Sequence, residues 1–84
     1  MTIKSIGSTE AQNNFGRVLD DVTLNRARYI VKRRGVPQVI ILSFDDFDYV
    51  LRDDTERRRM GSVLRDLRPQ YRIGEVIEPV GDLE

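Results

Sequence analysis

The spacing of apolar residues changes along this chain, and each spacing predicts a different element of secondary structure. Ile3 and Ile6 weakly support a short strand over residues 2–7. Beyond this strand, apolar residues recur at helical spacing, so one stripe of the helix is expected to face a core. The stripe consists of Ala11, Phe15, Val18, Leu19 and Val22. Asn25 follows the periodic run and predicts the end of this helix.

Two segments rich in β-branched residues come next, RYIVKRR and QVIILSF, with Gly35-Val36-Pro37 between them. This arrangement predicts a β-hairpin whose turn lies at the three connecting residues. Residues 39–42 are all aliphatic and do not alternate with polar residues. The second strand is therefore expected to be covered on both faces or to lie in the middle of the sheet.

Two further amphipathic helices are predicted in the second half of the chain. Ser43 is expected to cap the first, with Asp45 and Asp46 in the turn where the helix dipole favours negative charge. Its buried side is predicted to consist of Phe44, Phe47, Val50 and Leu51. After the charged segment DDTERRR, the other helix has the apolar stripe Met60, Val63, Leu64 and Leu67. The predicted fold class is α+β, in the order β-α-β-β-α followed by a helix and a tail.

Composition narrows the possible classes of function. The chain has 84 residues and contains neither cysteine nor histidine, so it lacks thiolate ligands and the usual general base. Acidic clusters at residues 45–48 and 53–56 could bind a metal, but helix capping and solvation explain them better. The longest aliphatic run is too short to cross a bilayer, and the first eight residues lack the apolar stretch of a signal peptide. We therefore expect a cytoplasmic protein that is not an enzyme and needs no metal or cofactor.

The formal net charge is zero, but the two halves of the chain differ in charge. Residues 1–42 contain seven basic and three acidic side chains, whereas residues 43–84 contain seven basic and eleven acidic ones. This gradient predicts two partners of opposite charge, although a charge-rich small chain can also show one by chance. Apolar residues lie among the acids of the last stretch, at Tyr71, Ile73, Val76, Ile77 and Val80. A tail that folds onto a partner needs such anchors; the alternative is that it packs back on its own domain.

The segment STEAQNNFGRVLDDV, followed by YIVKRRGVPQVIILSFDDFDYVL, resembles the Phd/YefM antitoxins of prokaryotic type II toxin–antitoxin modules. The resemblance depends on the order of three parts: the T-E-A-x-x-N-F helix start, the KRRG turn, and the apolar strand leading into SFDDFDYVL. It implies that residues 1–54 form a domain that dimerises through its sheet and helices. This dimer, or a higher oligomer, would bind operator DNA and repress its own operon. Residues 55–84 would form a helix and tail that neutralise a toxin.

In this family the first helix faces DNA, and the exposed side chains of this helix suit that role. With the apolar stripe turned inward, Thr9, Asn13 and Arg17 form a row at intervals of four, and Gln12 flanks it. Amides can pair with adenine edges, and a hydroxyl can contact phosphate or base. Members of the family often have an arginine where this chain has Gln12. The alternative role of Gln12 is structural, because Thr9 and Gln12 have the spacing of a capping box.

The resemblance also places the glycine turn near DNA, which implies phosphate contacts for Lys32, Arg33 and Arg34. The alternative for this basic cluster is a solvated hairpin end. Lys4 and Ser8 are weaker candidates for DNA contact. A two-fold dimer doubles all these contacts and matches a palindromic site.

The resemblance implies that the toxin binds the last helix and the tail. The candidate contacts are Met60, Val63, Leu64, Leu67, Tyr71, Arg72, Ile73, Val76 and Ile77. The toxins that are paired with antitoxins of this family include RelE/YoeB-like ribonucleases, Doc-like kinases and PIN-domain ribonucleases. An acidic tail with apolar anchors suits a basic RNA-binding surface, so a RelE/YoeB-like toxin is preferred. A PIN-domain toxin would have an acidic metal site, and Arg72 would then be the expected contact. The rival interpretation is a protein-interaction adaptor that does not bind DNA.

Overall fold

The computed structural model describes residues 2–67, which form three strands and four helices. The α+β class and the predicted order are confirmed, except that the first helix is divided in two. The elements are β1 (Ile3–Gly7), α1 (Ser8–Asn13), α2 (Phe15–Leu24), β2 (Arg28–Arg33), β3 (Val36–Ile41), α3 (Phe44–Arg52) and α4 (Asp54–Leu67).

The three strands form one sheet with β2 in the centre. β1 runs parallel to β2, from the pair Ile3 and Arg28 to the pair Gly7 and Lys32, and α1 and α2 make the crossover between them. β3 pairs antiparallel with β2 as the hairpin prediction requires. The prediction that β3 is central or covered on both faces is wrong for this single chain. β3 is an edge strand, and Val39 is 54% exposed.

The first predicted helix is interrupted at Asn14, whose backbone (φ −127°, ψ 32°) departs from helical geometry. The predicted capping box is also wrong. The helix begins at Ser8 with Gly7 as its N-cap, and no side chain caps it. Thr9 therefore lies inside the first turn, where it does not occupy the position from which a cap hydroxyl accepts a backbone N–H. The predicted end at Asn25 is confirmed, since its N–H donates to the Asp21 carbonyl at 3.0 Å.

The hairpin turn lies earlier than predicted, because the loop between the strands consists of only Arg34 and Gly35. Both residues have positive φ, 54° and 78°, as the two-residue turns that match the twist of a hairpin require. Pro37 belongs to β3 and pairs with Lys32 beside a bulge in the ladder. An edge strand tolerates proline at such a position, since its missing N–H interrupts no central ladder.

The core of the described chain is small and lies around the central strand, where the adjacent residues Ile30 and Val31 are both buried. Its buried apolar side chains are Ala11, Val18, Val22, Ala27, Ile30, Val31 and Met60. Three of the five residues in the predicted stripe on the first helix, Ala11, Val18 and Val22, are therefore confirmed as buried. Phe15 and Leu19, the other large members of that stripe, remain about half exposed in the single chain.

The face that α3 turns to the core differs most from the prediction. Phe44 is 94% exposed, Phe47 and Leu51 are about half exposed, and Asp46 is completely buried. The predicted cap is confirmed, since Ser43 Oγ accepts the Asp46 backbone N–H at 3.0 Å. A buried arginine on β2 explains the orientation of the helix, because it requires a carboxylate beside it.

Candidate nucleic-acid interface and partner-binding helix

The parallel pairing of β1 and β2 brings two predicted DNA-binding segments to the same edge of the sheet. β1 leads directly into α1, and β2 leads into the hairpin loop, so both segments begin where the paired strands end. Ser8 and Thr9 line a shallow depression together with Lys32, Arg34 and Gly35. We call this depression the notch. Two segments that are about 25 positions apart in the sequence thus form one surface.

Two of the three residues in the predicted basic cluster line the notch. These are Lys32 and Arg34, whereas Arg33 does not line it. Within residues 2–67, none of the three side chains makes a hydrogen bond or ion pair. Their charges are therefore available to a ligand.

The exposed amides lie on the same helix as the two hydroxyl residues that line the notch. Thr9, Gln12 and Asn13 are all exposed on α1, and Arg17 is exposed on α2 beyond the interruption at Asn14. The structure contradicts the alternative role for Gln12 as a cap, because no side chain caps α1. The amides of Gln12 and Asn13 make no hydrogen bond to the described part of the chain.

Lys4 differs from the other candidates because its charge is already paired. Its Nζ lies 2.6 Å from Asp21 Oδ2, and Tyr29 Oη donates to the same oxygen at 2.5 Å. The hydrogen bond from Lys4, assisted by that from Tyr29, holds the pKa of Asp21 well below its usual range. The Asp21 hydrogen bond in turn raises the pKa of Lys4. Lys4 therefore joins β1 to α2, and this structural role competes with the predicted contact to DNA.

One acidic residue also lines the notch. Glu10 follows the two hydroxyl residues in the first turn of α1, and the structure gives its carboxylate no ion pair within residues 2–67. With Lys32 and Arg34 it gives the notch a formal charge of about +1, so the notch as a whole attracts anions, although less strongly than the two cations would alone.

A buried ionic network lies at the opposite end of β2, and sequence reasoning missed it. Arg28 donates from Nε to Asp46 Oδ2 at 2.6 Å and from Nη2 to Asp46 Oδ1 at 2.7 Å. The same Nη2 donates to Glu56 Oε1 at 3.1 Å. Arg28 is 1% exposed and Asp46 0%. The hydrogen bonds from Arg28 lower the pKa of Asp46, and the two carboxylates raise the pKa of Arg28.

The network attaches α4, the predicted partner-binding helix, to the rest of the domain. Glu56 and Met60 are buried one turn apart on this helix, so its first half packs inward. The buried position of Met60 gives it a role in the core, which competes with its predicted contact to a toxin.

The second half of α4 keeps more of its apolar surface near solvent. Val63, Leu64 and Leu67 line an apolar groove whose other wall includes Pro37 and Val39 of the edge strand. The remaining predicted toxin contacts lie outside the described residues: Tyr71, Arg72, Ile73, Val76 and Ile77.

Two classes of feature are missing from the part of the chain that the structure describes. No helix within residues 2–67 has the length and apolar character needed to span a membrane. The same residues contain no group of three or more side chains placed to bind a metal ion.

Comparison with known proteins identifies the family of this chain and a solved structure with a similar fold. The family model for the antitoxin Phd_YefM of type II toxin–antitoxin systems matches residues 3–61. A chain in the crystal structure of the heterotetrameric YoeB–YefM toxin–antitoxin complex from Staphylococcus aureus has a similar fold. The TM-score is 0.50 at 16% sequence identity, and the match covers 94% of this chain and 100% of that chain. No curated protein matches this chain.

Proposed function

Because this chain belongs to the Phd/YefM family of type II antitoxins, we propose that it neutralises a toxin and represses its own operon as a DNA-binding dimer. It acts without catalysis, in the cytoplasm, through two regions with different partners. Residues 1–54 dimerise and bind operator DNA, and residues 55–84 bind the toxin. The observation that carries the DNA-binding part is the surface of unpaired cations and exposed amides at one edge of the sheet.

The chemistry of that surface suits duplex DNA. Lys32, Arg33 and Arg34 supply unpaired positive charge for phosphates, and counterion release makes such contacts favourable at low salt. Gln12 and Asn13 supply amide groups with free donors and acceptors for base edges. Thr9, Ser8 and Arg17 extend the contact along the backbone. Lys4 contributes least, since Asp21 already pairs its charge.

Dimerisation explains the apolar side chains that the single chain leaves exposed. Phe44 is almost fully exposed, and Phe15, Leu19, Phe47 and Leu51 are about half exposed. Exposed apolar area of this kind on a small domain is typical of a surface that another protein covers. A second copy with two-fold symmetry covers it and presents two equivalent DNA-binding edges to a palindromic operator.

The proposed toxin is a RelE/YoeB-like ribonuclease. The acidic, apolar C-terminal region suits the basic surface that such an enzyme needs to hold RNA. The similar fold found in a YoeB–YefM complex supports this choice over a Doc-like or PIN-domain toxin. Val63, Leu64 and Leu67 begin the contact on α4, and residues of the tail continue it.

Two assays on matched variants test the two activities separately. The product of the neighbouring gene is expressed alone and with this chain, and growth is measured; the chain is also mixed with a duplex of its own upstream region. The full chain is expected to restore growth and retard the duplex. A chain ending at Leu67 is expected to retard the duplex but to restore growth poorly.

The reciprocal control is the full-length double variant Arg33→Ala with Arg34→Ala. It is expected to restore growth but to bind the duplex weakly and with a reduced dependence on salt. Full rescue by the chain ending at Leu67 would remove the toxin-binding role from the tail. Growth rescue without any binding of the full chain to the duplex would instead identify an adaptor that lacks a DNA-binding role.

A further inference from the structure

The apolar groove between the edge strand β3 and the second half of α4 has an exposed wall. Val39 and Ile40 of β3 both line the groove and are exposed, and no strand within residues 2–67 pairs with the outer side of β3. An exposed apolar edge strand tends to pair with other chains, so natural proteins usually cover it. The groove is therefore a surface that needs an occupant.

The size and chemistry of the groove restrict what can fill it. It encloses about 130 Å³, close to the roughly 150 Å³ of an apolar cavity that binds benzene. One large apolar side chain therefore fits. The lining is apolar except for Gln38, so a purely aliphatic side chain fits better than one that carries a hydroxyl, whose burial without a partner is unfavourable.

The chain itself has a segment that begins at the groove. Leu67 lines the groove and is the last residue of α4, and the 17 residues that follow it, 68–84, form the tail. Ile73 lies six residues beyond Leu67, and an extended chain of that length reaches about 20 Å. The wall of the groove on α4, from Val63 to Leu67, is only about 6 Å long. The tail is thus long enough to turn back and place Ile73 anywhere along the groove.

Two further properties favour the tail over a second copy of the chain as the occupant. Because the tail is covalently joined to the groove, its effective concentration there is about millimolar. Its charges are also complementary, since residues 68–84 contain four acidic and two basic side chains. Pro37, in the lining, pairs with Lys32 of the hairpin, whose three cations have no ion pair within residues 2–67.

We propose that the tail covers this groove when no toxin is bound, with the side chain of Ile73 in the groove and Tyr71 at its rim. Alternate residues of an extended segment face the same side, so Tyr71 accompanies Ile73 while its hydroxyl stays in contact with water. The toxin then competes with the chain's own domain for the tail. This inference goes beyond the proposed function, because docking of the tail on its own domain requires neither toxin nor DNA.

The chain contains no cysteine, which allows a direct test by disulfide trapping in the full chain. Val39→Cys with Ile73→Cys places one thiol in the groove and one on the proposed anchor, and a disulfide forms only when the two Cα atoms approach within about 7 Å. Under mild oxidation, the intramolecular disulfide is expected to form roughly tenfold faster than in two control pairs. Non-reducing electrophoresis and mass spectrometry measure the rate.

Each control pair moves one of the two thiols. Val39→Cys with Leu83→Cys keeps the thiol in the groove and moves the other ten residues along the tail. Thr23→Cys with Ile73→Cys keeps the thiol on the anchor and moves the other to an exposed position on α2 that does not line the groove. Equal rates for all three pairs would show only random encounters and would overturn the docking.

A second measurement does not depend on introduced thiols. Ile73→Asp in the full chain is expected to shift the backbone amide NMR resonances of Val39, Ile40 and Leu64, because a charged side chain would leave the apolar groove. The resonances of α2 are expected to stay unchanged. Leu83→Asp introduces the same charge ten residues later and is expected to shift none of these resonances. Unchanged groove resonances in Ile73→Asp would contradict the proposal.

The remaining outcomes separate this inference from the proposed function. Disulfide-linked dimers in place of the intramolecular bond would assign the groove to a second copy and overturn docking within one chain. The product of the neighbouring gene, added in excess, is expected to suppress the disulfide of the Val39 and Ile73 pair. An unchanged disulfide would overturn the competition with the toxin. Failure of the unaltered chain to restore growth would overturn the proposed function, although the tail could still be trapped on the groove.

Discussion

The two ends of β2 each have an arginine, and their surroundings are opposite. At the start of the strand, Arg28 is 1% exposed and donates to carboxylates from two different helices. Just beyond the end of the strand, Arg34 is exposed in a two-residue loop and has no ion pair within the described residues. One guanidinium is satisfied by the fold, and the other is available to a ligand.

This contrast shows why the number of charges in a sequence says little about their use. Burial makes the partners of Arg28 obligatory, because an unpaired charge in the interior costs several kcal/mol. Exposure removes that requirement for Arg34, which water can solvate at little cost. Charge is therefore structural at one end of the strand and, in our proposal, functional at the other. Each prediction below tests one side of this contrast.

The largest expected effect comes from removing a partner of the buried arginine. Asp46→Ala leaves the guanidinium of Arg28 with only Glu56 and is expected to lower the free energy of unfolding by about 3–5 kcal/mol. Urea denaturation followed by circular dichroism measures this change. The double variant Arg28→Met with Asp46→Leu is the control, and it is expected to recover most of the loss because no unpaired charge remains. Equal destabilisation in both variants would show that packing, and not charge, stabilises this site.

Acid is expected to weaken the same network. Because the hydrogen bonds from Arg28 lower the pKa of Asp46 in the folded chain, this carboxylate stabilises the fold above the pKa of the unfolded chain, about 4. That contribution is lost as the pH falls below 4 towards the lower pKa of the folded state. The urea midpoint is therefore expected to decrease between pH 5 and pH 3.

The pKa of Asp21 is also lowered, by its exposed pair with Lys4, so this carboxylate can contribute to the acid sensitivity as well. High salt distinguishes its contribution from that of the buried network. Salt at 1 M screens the exposed pair far more than the buried one. The decrease between pH 5 and pH 3 is expected to persist in 1 M NaCl. Its disappearance there would assign the acid sensitivity to surface charges and not to Asp46.

A smaller effect is expected at the notch. Glu10→Gln removes the carboxylate that lines the notch beside Lys32 and Arg34 and is expected to raise affinity for duplex DNA about fivefold at low salt. Fluorescence anisotropy with a labelled duplex measures this change. Asp20→Asn is the matched control, because it removes an equal charge from α2 at a position that does not line the notch. An equal gain from both variants would show that only net charge matters.

The smallest expected effect belongs to a surface pair on α3. Arg52 Nε lies 3.0 Å from Asp48 Oδ1, and both side chains are mostly exposed. Asp48→Ala is expected to change the free energy of unfolding by no more than about 0.5 kcal/mol. A loss comparable to that of Asp46→Ala would contradict the view that burial decides the importance of these ion pairs.

Local patterns in the sequence determined the elements and the family. Helical spacing after residue 8, the β-branched pair of strands and the serine cap at position 43 each act over a few residues, so they were predictable. Even so, the turn lies at Arg34 and Gly35, and α1 begins at Ser8, because the exact boundaries depend on backbone conformations that several sequences satisfy.

Only the tertiary structure decided which side of each element is buried and which charges are paired. Asp46 is buried and Phe44 exposed because Arg28, eighteen residues before Asp46 in the sequence, pairs with Asp46 from the central strand. The notch exists because the parallel pairing of β1 and β2 places Ser8 and Arg34 at the same edge of the sheet. Periodicity within one segment contains no information about such long-range neighbours. The sequence therefore determined the kinds of chemistry available, and the packing of the chain determined where each could act.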